Sequence, residues 1–110
     1  MGRPSVGGGE RVQNVRIQLN FGGEGAAQGN VPVNGQVTRT RGIFATRVAN
    51  NGFILAGANG EQPSTVVCEA FGDEAGRNKI GELRGTGEAV RFTRGNGDVP
   101  VGAFRCAEAS

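Results

Sequence analysis

Four Asn-Gly dipeptides recur along this chain, at Asn34-Gly35, Asn51-Gly52, Asn59-Gly60 and Asn96-Gly97. The pair suits the positive backbone angles of tight hairpin turns, so its repetition predicts short strands folded back on one another. Asn14-Val15-Arg16-Ile17-Gln18-Leu19-Asn20-Phe21 alternates polar and apolar residues without a break. That period of two is the mark of a strand with one buried and one wet face. Further strands are expected over residues 31–33, 36–41, 43–49, 53–56, 65–71, 79–84, 89–93 and 99–106. The glycine-rich run 22–30 reads as a mobile loop. It approaches a dinucleotide-binding fingerprint, but its last glycine falls one place late and no helical pattern follows. Residues 72–78 carry enough charge and turn formers to make an irregular, solvated turn. No segment has a convincing helical period.

The fold class that follows is all-β. The short edge segment 31–33 aside, the seven or eight strands must close into a barrel or pack as two sheets, because either arrangement hides strand edges. A small antiparallel β-barrel is expected, with a β-sandwich as the alternative. A strand glycine such as Gly102 would ease the sharp bends of closure. With 110 residues the chain has room for one modest core. Residues 12–110 are expected to form that single domain and residues 1–11 a flexible tail. The polar start lacks the apolar stretch of a signal peptide, so export would require a leader already removed. Phe21, Phe44, Phe92 and Phe104 occupy apolar alternation sites and are candidate core. Phe53-Ile54-Leu55-Ala56 is apolar at four successive positions, so both faces of that strand need cover. One face can enter the core, and either the glycine-rich loop or a second subunit can cover the other. Phe53, Ile54 and Leu55 are therefore candidate residues of a homodimer interface.

Composition argues against most chemistries. The chain has no histidine, which removes the usual general base, the common nucleophile pairs and the commonest metal ligand. Glu69 and Glu82 fall on predicted strands and could face a cleft as a carboxylate pair. The plainer reading is two solvated strand faces, and the platforms that tryptophan and tyrosine give to sugar rings are absent. No catalytic, cofactor-binding or metal-ligating residue is assigned, and the chain is expected not to be an enzyme. Arg39, Arg41 and Arg47 could make a small basic patch, or could simply protect sheet edges. A net charge of +2 from scattered residues gathers no polyanion, so nucleic acid is not an expected partner. No apolar run approaches the roughly 20 residues of a spanning helix, so membrane insertion is not expected. The two cysteines, Cys68 and Cys106, sit on apolar strand-like segments. They suit either buried thiols or a disulfide, and an oxidising exterior favours the bond.

Several segments together resemble small secreted cysteine-containing proteins of filamentous fungi, of the kind exported by plant-associated Trichoderma. They are Val15-Arg16-Ile17-Gln18-Leu19-Asn20, Val31-Pro32-Val33-Asn34-Gly35, Val67-Cys68-Glu69-Ala70, Val99-Pro100-Val101 and Phe104-Arg105-Cys106. The resemblance implies a secreted, extracellular β-barrel protein, a compact dimer, and action as an effector or elicitor that a plant host perceives. A cell-wall or glycan-binding module is the alternative function.

Overall fold

The computed structural model describes residues 12–57, 63–92 and 97–108. The expected tail at 1–11, the Asn59-Gly60 pair and Asn96 lie outside them. Ten strands run in chain order: β1 Asn14–Phe21, β2 Gly25–Pro32, β3 Val37–Arg39, β4 Val48–Ala49, β5 Asn51–Gly57, β6 Val66–Phe71, β7 Lys79–Arg84, β8 Val90–Arg91, β9 Val99–Pro100 and β10 Ala103–Glu108. The described residues contain no helix. The first sheet has the order β2-β1-β5-β8, the second β3-β10-β6-β7, and β4 pairs with β9 in a two-stranded ribbon. All strand pairs are antiparallel.

The expected closed barrel is not what forms. Among the described residues no sheet returns to its own first strand, and the one isolated bridge, Val33 to Cys106, is parallel and lies outside the named strand pairs. One apolar cluster draws on both sheets, with Val15, Ile17, Leu19, Val31 and Ile54 from the first and Val66, Cys68, Leu83, Phe104 and Cys106 from the second. The alternation seen in the sequence thus buries one face of each sheet in a shared core, and leaves each opposite face to solvent. Phe44 reaches that core from the turn after β3, its ring centroid 5.7 Å from that of Phe104. Phe92 is also buried, whereas Phe21 is only half-buried.

The run expected to be a mobile loop is instead the greater part of β2, paired with β1 from Asn14↔Pro32 to Phe21↔Gly25. Its small residues gave no strand signal because their role is steric. A Cβ at Gly25 would fall 2.4 Å from the Phe21 ring. Asn34-Gly35 does turn the chain, with Gly35 at a φ of 74°. Asn51-Gly52 does not, since both residues lie inside β5. Gly52 faces the core there, where a Cβ would stand 3.0 Å from Leu19 Cδ2. The segment expected to be a strand at 43–49 is mostly a turn, in which the amides of Ile43 and Phe44 both donate to the Thr40 carbonyl. The expected final strand breaks into β9 and β10 at Val101-Gly102. The turn at 72–78 forms as expected, with the Asp73 carboxylate accepting from the backbone amides of Arg77 and Asn78.

Candidate functional site

Cys68 and Cys106 are disulfide-bonded. They stand opposite one another in the β6–β10 ladder, with Cα atoms 4.0 Å apart, and both are fully buried. The bond joins the two central strands of the second sheet and contributes its sulfurs to the core.

The outer face of the second sheet carries a chain of charge. Arg105 on β10 binds Glu69 on β6 through both Nε, at 2.7 Å, and a terminal guanidinium nitrogen. Lys79 on β7 bridges Glu69 and Glu82, with Nζ 3.2 Å and 2.9 Å from their carboxylates, and Arg84 closes on Glu82 at 2.6 Å. The Arg105 guanidinium also lies 6.0 Å over the Phe71 ring. Glu69 and Glu82 are direct partners across β6 and β7, so the structure brings together the two carboxylates singled out from the sequence. They line a shallow hollow of about 330 Å³ with Val67, Arg105 and Glu108. Arg105 holds the Glu69 carboxyl below its ordinary range, and Lys79 does the same for Glu82. A carboxyl so held is ionised at neutral pH, which is the opposite of what a glycosidic general acid needs.

The arginines considered as a basic patch are dispersed. Arg39 lies in β3, Arg41 pairs with Glu74 at 3.5 Å in the following turn, and Arg47 precedes β4 in a different sheet. Among the described residues no group of three or more histidine, cysteine, aspartate or glutamate side chains is placed to hold a metal. No described helix is long and apolar enough to cross a membrane.

The candidate interface residues separate. Ile54 is buried in the core, on the face of its strand that turns inward. Phe53 is half-buried and Leu55 is 41% exposed, both on the outer face of the first sheet. The loop expected as a possible lid cannot serve, because it is the edge strand β2 of the same sheet.

That outer face also carries a feature the sequence reading missed, a relay of side-chain amides across the strands. Gln28 on β2 donates to Gln18 on β1 at 3.0 Å, and Gln18 donates to Asn20 at 2.9 Å. Asn20 donates to Asn51 on β5 at 2.7 Å, Asn51 donates to Asn50, and Asn50 donates at 3.1 Å to Asp98. The Asp98 carboxylate also accepts from the Gly22 amide at 3.0 Å, which ties the β1–β2 turn to the segment before β9. Register explains the alignment, because Gln18 faces Gln28 on one side and Phe53 on the other, and Asn20 faces Asn51. The available signal was that the wet positions of β1 are Asn14, Arg16, Gln18 and Asn20, three of them amides.

Fold and surface together define a small all-β, disulfide-closed protein of antiparallel sheets that share one core, one outer face ordered by ion pairs and the other by amides. Compared with protein families, curated proteins and solved structures, the chain matches none.

Proposed function

We propose that this chain works outside the cell that makes it, as a non-catalytic recognition protein of the effector or elicitor kind, perceived through its folded surface by a plant host. The observation that carries the non-catalytic part is the state of its best carboxylate pair. Glu69 and Glu82 are engaged by Arg105, Lys79 and Arg84, an arrangement that orders a surface and leaves no proton to give. The buried Cys68–Cys106 bond supports an oxidising, extracellular setting. The host comes from the resemblance to fungal secreted proteins. Applied to leaves or roots, folded protein is expected to induce defence genes, and reduced, unfolded protein to do so much less. Equal activity after unfolding would replace a surface-read signal with a linear epitope, and silence across several hosts would end the reading.

A second reading, an extracellular binding module for wall glycans, is favoured by the amide relay on the first sheet. A homodimer has less to recommend it. A single exposed leucine beside a half-buried phenylalanine is an ordinary feature of a monomer's surface.

A further inference from the structure

We infer that the outer face of the first sheet is a binding platform for an uncharged polysaccharide chain, with Phe53 stacking on a sugar ring and Gln28, Gln18, Asn20 and Asn51 bonding its hydroxyls. The inference rests on the binding-module reading and names its site.

The register makes the face a small grid. One row runs Gln28, Gln18, Phe53, and the next runs Ala26, Asn20, Asn51, from β2 through β1 to β5. Neighbouring strands lie about 4.8 Å apart, so each row spans roughly 10 Å, the scale of a short run of linked sugars. An amide has two N–H donors and an oxygen with two lone pairs. In the relay Gln18, Asn20 and Asn51 each donate one N–H and each accept one bond at oxygen. Each therefore keeps a second donor and a second acceptor for a ligand. Because every member is held by its neighbours, the side-chain freedom that binding would otherwise remove is already lost in the free protein.

The chemistry of the face selects the occupant. Its two central rows contain no charged group from β2 to β5, and the cations of the face stand at its margin, Arg91 opposite Asn51 on β8 and Arg16 opposite Asn30 in the neighbouring row. Donors and acceptors are interleaved, which matches hydroxyl groups, each both donor and acceptor. A phosphate or carboxylate polymer would use the donors alone and would leave the amide oxygens facing its charges. A protein partner would find no apolar centre of the size that stable interfaces bury, since Phe53 is paired with Gln18 and Leu55 lies at the irregularity beside the Arg16–Ala56 pair. Phe53 opposite Gln18 supplies the flat apolar patch on which the C–H face of a pyranose can rest, with polar groups at its margin. The face is an open sheet, so affinity must come from several sugar units in a row. That points to a polymer over a monosaccharide.

The test is retention of the full chain on neutral polysaccharides, namely β-1,3-glucan, chitin and xylan, with polygalacturonate as the acidic comparison. The expected result is retention on at least one neutral polymer that survives 0.5 M salt, where charges are screened beyond about 4 Å, as a contact without ion pairs should. Phe53→Ala and Gln18→Ala are each expected to weaken it about tenfold or more. Glu82→Gln, on the opposite sheet, is expected to leave it unchanged. Melting curves for each variant separate a lost contact from a lost fold, and Gln28→Ala at the exposed edge gives a second probe that does not burden the core. Retention undiminished in Phe53→Ala, Gln18→Ala and Gln28→Ala but lost on altering the second sheet would overturn the site while leaving a binding module. No retention on any neutral polymer would overturn both. Preference for polygalacturonate that salt abolishes would overturn the uncharged ligand, and a concentration-dependent dimer abolished by Phe53→Ala would assign the face to a second copy.

Discussion

At the scale of single residues, the glycines of this chain divide by what surrounds them. At Gly102 a Cβ would fall 2.5 Å from the backbone carbonyl carbon of Asp73, and neither backbone can swing aside as a side chain would. The Gly102 amide is meanwhile bonded to the Phe71 carbonyl, which fixes its place. Gly23, in the β1–β2 turn, has open space where its Cβ would go. Gly102→Ala is therefore expected to destabilise the fold by about 2–3 kcal/mol, the usual cost of overpacking. Gly23→Ala should stay within about 0.5 kcal/mol of the parent. Urea unfolding of the two variants measures both, and equal stabilities would contradict the close approach at Gly102. The sequence reading put Gly102 inside a strand as an aid to bending. What it could not contain is the identity of the backbone that passes beside it, 29 positions away in the chain.

At the scale of elements, the disulfide joins strands that already share a ladder from Ala103↔Phe71 to Glu108↔Val66. Its contribution is thus less to align β6 and β10 than to restrict the unfolded chain, which it closes over a sequence separation of 38. In the chain-entropy account such a loop is worth about 4 kcal/mol. Reduction, or the double change Cys68→Ala with Cys106→Ala, is expected to lower the melting temperature by about 15 °C or more. A shift of a few degrees would show that the packed ladder alone carries the second sheet. Strand existence was legible where alternation was strong, as in β1 and β6. It was illegible in β2, where Gly25, Ala26, Ala27 and Gly29 have little strand preference of their own and are ordered by pairing with β1. The Asn-Gly rule erred at Asn51-Gly52 because a glycine serves a turn and a crowded core contact equally well, and the dipeptide does not say which.

At the scale of the whole molecule, the paired charges set how stability responds to pH. Glu69 and Glu82 are held below the ordinary carboxyl value of 4.5, the first chiefly by Arg105 and the second chiefly by Lys79. Asp73 is held below its ordinary 3.8 by the backbone amides of Asn78 and Arg77. A depressed carboxyl stabilises the fold fully above its unfolded value, and that contribution is lost as pH falls through the folded one. Lys79 is raised above its ordinary 10.5, first by Glu82 and then by Glu69, so its contribution is complete below that value and is lost as pH rises through the folded one. Stability is expected to be level between about pH 5 and 10 as far as these groups decide it, and to fall on both sides. The falls should be shallow, because exposed pairs are screened and individually weak. Urea midpoints across pH test this, with Glu69→Gln expected to flatten the acid limb. An acid limb as steep in Glu69→Gln as in the parent would remove the ion-pair chain as its cause.

By itself the sequence determined that this chain is all-β, that one face of β1 is wet and the other dry, and that Cys68 and Cys106 belong to apolar strands. Those properties live in neighbouring residues, whose alternation and turn chemistry act before any distant contact forms. The tertiary structure alone decided that the strands lie in two four-stranded sheets and a ribbon, and that 22–30 is largely strand. It alone placed Gln28, Gln18, Asn20, Asn51, Asn50 and Asp98 in one hydrogen-bonded line. The physical reason is register. Which residue of one strand stands opposite which residue of another depends on every turn and contact between them, and a shift by one position would send each of these amides to the opposite face.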